Sequence, residues 1–331
     1  MKTPRRLATI AVIGIIASAG ASAASAGSAF VVNPYYTYPA DQPYHPEYRD
    51  AVRRNIADVR AFYRDHVGRG FRIGKLRVLR LPDDYVTMRC GPFASAACAA
   101  DRNQHPNLLA SLFRAVGGLK PRRPVWIWAQ GAGGFAGANH FGDFQGFAVQ
   151  GDWVLEPLSG VREPEATHCG FSDGWQCAIL GPGVGAPFGT AGHELGHVFG
   201  LHHPPGDFMP GGVSLMRWHG DGLTSLFPHE IAILKASPFF KRKAFDESAP
   251  HLNFENADVV QRGTSLLLSG CCFAAGDLVE FRDGAHSELV TPEILEGSLL
   301  RVQVPATMEP GYVRIWRGSL RGNVVAINFV P

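Results

Sequence analysis

The chain has 331 residues, 31 Lys and Arg against 29 Asp and Glu, a formal net charge of +2, and 46% hydrophobic residues. That length can bury a substantial core and makes two domains the starting expectation. The near balance of charge, 28 basic against 29 acidic side chains once residues 1–26 are set aside, gives no electrostatic reason to expect nucleic acid or an anionic membrane as partner.

Lys2, Arg5 and Arg6 precede an apolar run from Leu7 to Ala17, and Ala21-Ser22-Ala23 or Ala24-Ser25-Ala26 offers a small-residue cleavage site. The run falls short of the about 20 residues that a spanning helix needs. Residues 1–26 are therefore expected to be a signal peptide, and the mature chain to be secreted, extracellular or periplasmic, with no stable membrane anchor. Residues 28–45, rich in Tyr and Pro, read as an extended or wrapping segment. Val52, Ile56, Val59, Phe62 and Tyr63 then recur at helical spacing, an amphipathic helix ending near Gly68. FRIGKLRVLRL (71–81) alternates as a strand, residues 106–116 form a short helix, and PVWIWAQ (124–130) is a buried strand. Segments 134–139 and 145–150 are both strand candidates, and QGDWVLEPL (150–158) reads as a further hairpin arm. Pro228 suits a first helical position for a helix running to about Ser237, and PFFKRKAFDESAP (238–250) reads as a linker. Beyond it, TSLLLSGCCF, DLVEFRDG, LLRVQVP, GYVRIWRG and VVAINFV are short strands separated by turn residues, the rhythm of a β-sandwich.

The six cysteines fit an exported chain. Cys90–Cys98 and Cys169–Cys177 are each expected to form a local bridge, worth about 2–3 kcal/mol. Adjacent Cys271 and Cys272 leave a vicinal bridge, free thiols or pairing between chains open.

The densest chemical signal is His193-Glu194-Leu195-Gly196-His197-Val198-Phe199-Gly200-Leu201-His202-His203. On a helix, His193 and His197 lie one turn apart on one face, so two imidazoles reach one ion. Glu194 sits beside the first ligand, close enough to touch a water there. Gly200 lets the backbone leave the helix at positive φ, and the spacing from it favours His203 over His202 as third ligand. Three protein ligands leave a fourth position for water, the open coordination of a catalytic zinc site.

This string, with Met216 in Val213-Ser214-Leu215-Met216-Arg217, resembles the metzincin clan of zinc endopeptidases. Pro204 after the third histidine is similar to the serralysin pattern. Trp218 stands where serralysins have a tyrosine, and their calcium-binding repeats do not occur here, so the subfamily stays open. The resemblance implies an α+β fold. A catalytic domain over 46–240, a twisted mixed sheet plus active-site helix, would precede a linker at 241–250. In that family Met216 would form a hydrophobic floor beneath the zinc, and one of the two segments 134–139 and 145–150 would be a cleft-rim strand that pairs with extended substrate. Residues 251–331 are similar to the immunoglobulin-like TIG/IPT fold. Arg89-Cys90-Gly91 is similar to part of the matrixin cysteine switch but lacks its flanking prolines and aspartate.

The expected activity is hydrolysis of a protein or peptide substrate with one catalytic Zn2+, Glu194 passing a proton from water to the leaving amine. A secreted binding protein with an inactive zinc fold, and an amidase acting on cell-wall cross-links, remain the rival classes. His219 is a candidate near the oxyanion. His140, Asp143, Asp207 and Asp221 are candidates for calcium or a second zinc, although no oxygen-rich loop supports calcium.

Overall fold

The computed structural model describes residues 30–101, 104–141, 144–160, 186–203, 214–216, 225–241, 249–253, 259–283 and 286–329. The expected signal peptide, the Cys169–Cys177 bridge and residues 242–248 of the linker lie outside them.

The N-terminal part is built on five strands: β1 (Asn33–Tyr38), β2 (Arg77–Arg80), β3 (Val125–Ala129), β4 (Ala136–Phe141) and β5 (Gln145–Gln150). Their order is β2-β1-β3-β5-β4, with every pair parallel except β4–β5. All five residues of β3 are buried, as a central strand covered on both faces requires. Trp126 and Trp128 join the apolar cluster of one face, and Val125 and Ile127 that of the other.

The Tyr/Pro segment is not merely wrapping: β1 lies between β2 and β3, so the sheet begins ahead of residue 46. Pro34 is tolerated there for a geometric reason. Val32 N–H bonds Arg72 on the β2 side and Asn33 N–H bonds Pro124 on the β3 side. The donor that Pro34 lacks would point back toward β2, whose pairing starts only at Tyr35 with Arg77.

Helix α1 (Pro46–Val67) starts with Pro at N1 and stops at Gly68, φ 81°. It buries Val52, Val59, Phe62 and Tyr63. Helices α2 (Tyr85–Cys90) and α4 (Leu108–Val116) cover the opposite face, and α3 (Ala96–Ala100) packs on α2. Asp84 and Ser95 cap α2 and α3 through Thr87 N–H and Cys98 N–H, and a Cys90–Cys98 disulfide joins them. That bridge occupies the sulfur of Cys90, and Arg89 is buried against the carbonyls of Asp101, Gln104 and Ala99. The Arg-Cys-Gly tripeptide is thus a structural staple.

Residues 150–158 are not a hairpin arm. Helix α5 (Asp152–Ser159) follows β5 directly. Asp152 accepts the N–H groups of Gly131 and Gly133 at 2.8 and 2.9 Å, and Trp153 Nε1 donates to Phe135. Helix α6 (Ala186–Val198) packs on α5, β4 and β5, and α7 (Pro228–Ala236) packs on α1.

The linker reading of residues 238–240 fails, because Phe239 and Phe240 are buried against Phe199, Phe30 and Tyr63.

The C-terminal residues form two sheets. One contains β7 (Val259–Val260), β9 (Leu278–Arg282), β10 (Ser287–Val290), β13 (Gly311–Arg317), β14 (Leu320–Arg321) and β15 (Val325–Phe329). The other contains β6 (His251–Leu252), β8 (Ser265–Cys271), β11 (Glu293–Glu296) and β12 (Leu299–Gln303). Leu266, Leu268, Phe281, Leu300, Val302 and Val313 are buried together. Glu280 and Arg314 alternate with the core residues of β9 and β13, so they belong to the opposite sheet face. They are also buried, and α7 packs against β13 and β15. Cys271 and Cys272 are bridged to each other.

Candidate metal centre

Helix α6 carries His193, Glu194 and His197, and it ends in a Schellman motif. Leu201 N–H reaches Gly196 O at 3.0 Å, Gly200 N–H reaches His197 O at 2.9 Å, and Gly200 takes φ 93°. A side chain with a Cβ is disfavoured at that φ. The reversal returns His203 to the helix face. The three Nε2 atoms of His193, His197 and His203 stand 3.0–3.1 Å apart, and among the described residues they are the group that could hold a metal ion.

The proton positions of two rings follow from their other contacts. His193 Nδ1 lies 2.8 Å from Leu215 O, and His197 Nδ1 lies 2.8 Å from Leu201 O. A carbonyl only accepts, so each Nδ1 donates and each neutral ring presents a bare Nε2 lone pair. Two such lone pairs facing each other at 3.1 Å repel unless they share a cation. The donor set therefore fits one small divalent ion with bonds of about 2.0–2.1 Å to imidazole nitrogen. Burial, reinforced by the neighbouring charge of His203, lowers His197 to about 3, which favours the neutral ligating form.

Glu194 is buried, and desolvation pushes its carboxyl up to about 8. A cation nearby opposes that shift by favouring the carboxylate.

The helix carrying these groups is gripped from three sides. Tyr63 Oη donates to Gly192 O at 2.8 Å, and burial followed by the Glu230 charge raises its pKa well above the usual phenol value. Met216 is fully buried against Gly196, where a Cβ would collide with its sulfur and come within 2.9 Å of Tyr63 Oη. His140 on β4 places Nδ1 2.7 Å from His197 O, tying the last strand of the sheet to the helix end. That contact is to backbone.

The turn bearing Met216 has its own anchor. Ser214 Oγ lies 2.7 and 2.8 Å from the two oxygens of Glu230 and accepts Met216 N–H at 3.0 Å. Glu230 also accepts Phe227 N–H at 2.6 Å, capping α7. A connected path thus runs from α7 through Glu230, Ser214 and Leu215 to His193. Ser214, Glu230 and Tyr63 were not singled out from sequence for these positioning contacts. Glu230 did carry a signal, three residues after a helix start, while Ser214 carried none.

His203, rather than His202, completes the triad. Of the two rim candidates, 145–150 is the interior strand β5, and 134–139 overlaps the antiparallel edge strand β4. Asp143, Asp207, His219, Asp221 and Trp218 lie outside the described residues.

The molecule is a mixed α/β protein with a three-histidine site competent to hold a metal. No family model matches the sequence, and no curated protein matches it. Wild-type OgpA from Akkermansia muciniphila is similar to it in two crystal forms. They have TM-scores of 0.42 and 0.41 at 16% and 17% identity, covering 87% of this chain and 87% and 88% of theirs. Catalytically inactive OgpA in complex with an O-glycopeptide (glycodrosocin) substrate has a TM-score of 0.41 at 16% identity, covering 87% of this chain and 88% of that one. Likeness at this level decides no activity, so the site's own geometry carries the argument.

Proposed function

We propose that the chain is a secreted zinc-dependent endopeptidase of metzincin type. The observation that carries this reading is the set of three imidazole nitrogens 3.0–3.1 Å apart with a buried carboxylate on the adjacent residue. His193, His197 and His203 would hold the ion, and zinc is the metal that three neutral imidazoles and an open position suit. Bound there, it supplies Lewis acidity, making water acidic near neutral pH and polarising a carbonyl.

The protein's own residues do the rest. Glu194 takes a proton from the attacking water and delivers it to the departing amine. Met216 and Gly196 fix the floor under the ligands, and the Leu215 and Leu201 carbonyls hold two rings in the ligating tautomer. The last strand, β4, has one edge with no strand partner among the described residues, and an extended peptide can add along it as a further strand.

Export is supported by the basic-apolar start of the chain and by the Cys90–Cys98 bridge. No described helix is long and apolar enough to cross a membrane. In this reading residues 46–240 with β1 form the catalytic domain, and residues 251–331 form an immunoglobulin-like sandwich.

The test is a digestion panel of unmodified and O-glycosylated peptides, with and without a zinc chelator, followed by metal add-back. Chelator-sensitive cleavage restored by Zn2+ is expected. Tight zinc binding with no peptide cleaved sinks the peptidase reading.

A further inference from the structure

Three backbone segments lie side by side at the N-terminal end of β1. Val32 N–H bonds Arg72 O and Gly74 N–H bonds Val32 O on one flank. Val31 N–H bonds Arg122 O and Asn33 N–H bonds Pro124 O on the other. Neighbouring strands are about 4.8 Å apart, so residues 72–74 and 122–124 stand within about 10 Å of each other.

That juxtaposition concentrates charge. Residues 66–124 hold eleven Lys and Arg against three Asp and Glu, whereas residues 125–331 hold twelve against twenty-one. The near-neutral total conceals a strongly uneven distribution of charge along the chain. Arg69, Arg72, Lys75, Arg77, Lys120 and Arg123 are all exposed, and none forms an ion pair with a described residue. Arg77 lies over the ring of Tyr35 at 5.9 Å, a contact that keeps the cation in place without neutralising it.

We propose that this corner is a docking surface for an anionic polysaccharide. Four of the six cations are guanidiniums, whose planar forks match carboxylate and sulfate oxygens better than an ammonium does. The cations belong to the segments that flank the start of β1 on both sides, a spread that suits a chain of repeating charges. A lipid surface fits less well. Membrane-surface binders bury aromatic or leucine side chains at the interface, and the large apolar side chain exposed within residues 69–80 and 120–123 is Val78 alone, at 36%.

The location has a consequence for the metal centre. The sheet order puts β2 at one edge and β4, bonded to the metal-bearing helix through His140, at the other. Four strand spacings, about 19 Å, separate the edges. Residues 122–124 lie nearer, two spacings or about 10 Å from β4 and level with its His140 end, so a polymer spanning the corner would run from the β2 edge toward the side of the sheet that carries the histidine triad.

The experiment compares the full chain with Arg72→Glu/Lys75→Glu/Arg123→Glu, and with a control of equal charge change, Arg53→Glu/Arg60→Glu/Lys235→Glu. Each is run on immobilised heparin at about 0.15 M salt, where exposed charges are screened beyond about 8 Å, and sedimented with vesicles of phosphatidylcholine and phosphatidylglycerol at 3:1. Unfolding temperature and zinc content check that both variants are folded. Wild type and control should be retained on heparin and released by added salt, with the corner variant in the flow-through. Failure of wild type to bind, or equal weakening of both variants, overturns the proposal. So does co-sedimentation with vesicles without retention on heparin, which would assign the corner to lipid.

Discussion

Ser214 Oγ donates to the buried carboxylate of Glu230 at 2.7–2.8 Å while accepting the N–H of Met216 at 3.0 Å. One hydroxyl therefore couples helix α7 to the turn that lies against the helix carrying His193 and His197. The next residue, Leu215, accepts from His193 Nδ1. Ser214→Ala removes a donor from a buried anion and should cost about 1–3 kcal/mol of stability. Because the turn orients a ligand, the variant should also bind zinc about 10–100-fold more weakly. Urea unfolding and competition with a chromogenic chelator measure the two effects. Unchanged zinc affinity would mean that His193 is positioned without this turn.

Gly196 is small because of what faces it. A Cβ there would collide with the Met216 sulfur and approach Tyr63 Oη at 2.9 Å. Gly196→Ala should destabilise by about 1–3 kcal/mol through overpacking. Met216→Ala in the same chain should recover part of that loss, since the two positions share one contact. Strict additivity in the double variant would place Met216 elsewhere in solution.

The histidine triad was legible in sequence because its information is local. His193 and His197 need one helical turn, and His203 needs Gly200 to reverse the chain, so spacing alone carries the geometry. Met216 was named through the resemblance to the metzincin pattern, and it packs against Gly196. Ser214 and Glu230 escaped because their partnership exists only after α7 has packed. The same division explains the fold. Val125–Ala129 reads as a buried strand from its own side chains. Asp152–Ser159 was mistaken for a strand because Trp153, Val154 and Leu155 suit one. What settles it as a helix is the Asp152 carboxylate receiving Gly131 and Gly133, a contact about twenty residues away. Phe239 and Phe240 looked like linker residues beside a charged run, and only the ring pocket of Phe30, Tyr63 and Phe199 places them inside.

Glu194 sits beside the ligand triad without belonging to it. Glu194→Gln keeps the shape of the side chain and removes its ability to carry a proton. Peptide cleavage should fall by about 100-fold or more, with zinc stoichiometry and melting temperature close to wild type. Elemental analysis alongside the rate measurement separates a lost base from a lost metal. Normal cleavage by this variant would assign the proton transfer to another group.

His105 gives a stability prediction independent of the metal. Both ring nitrogens are buried without a hydrogen-bond partner among the described residues, and the ring stands edge-on to Phe135 at 5.8 Å. Burial first, then the positive charge of Arg89, lowers its pKa to about 4, with Asp101 opposing. As pH falls below about 6.5, the unfolded chain takes up a proton that the folded ring refuses until about 4. The fold should therefore lose stability across that window, and His105→Phe should flatten the loss. His197 is shifted in the same direction, so part of the slope persists in the variant. Urea midpoints at pH 7 and pH 5 decide the matter, and equal drops in wild type and variant would show that His105 titrates normally.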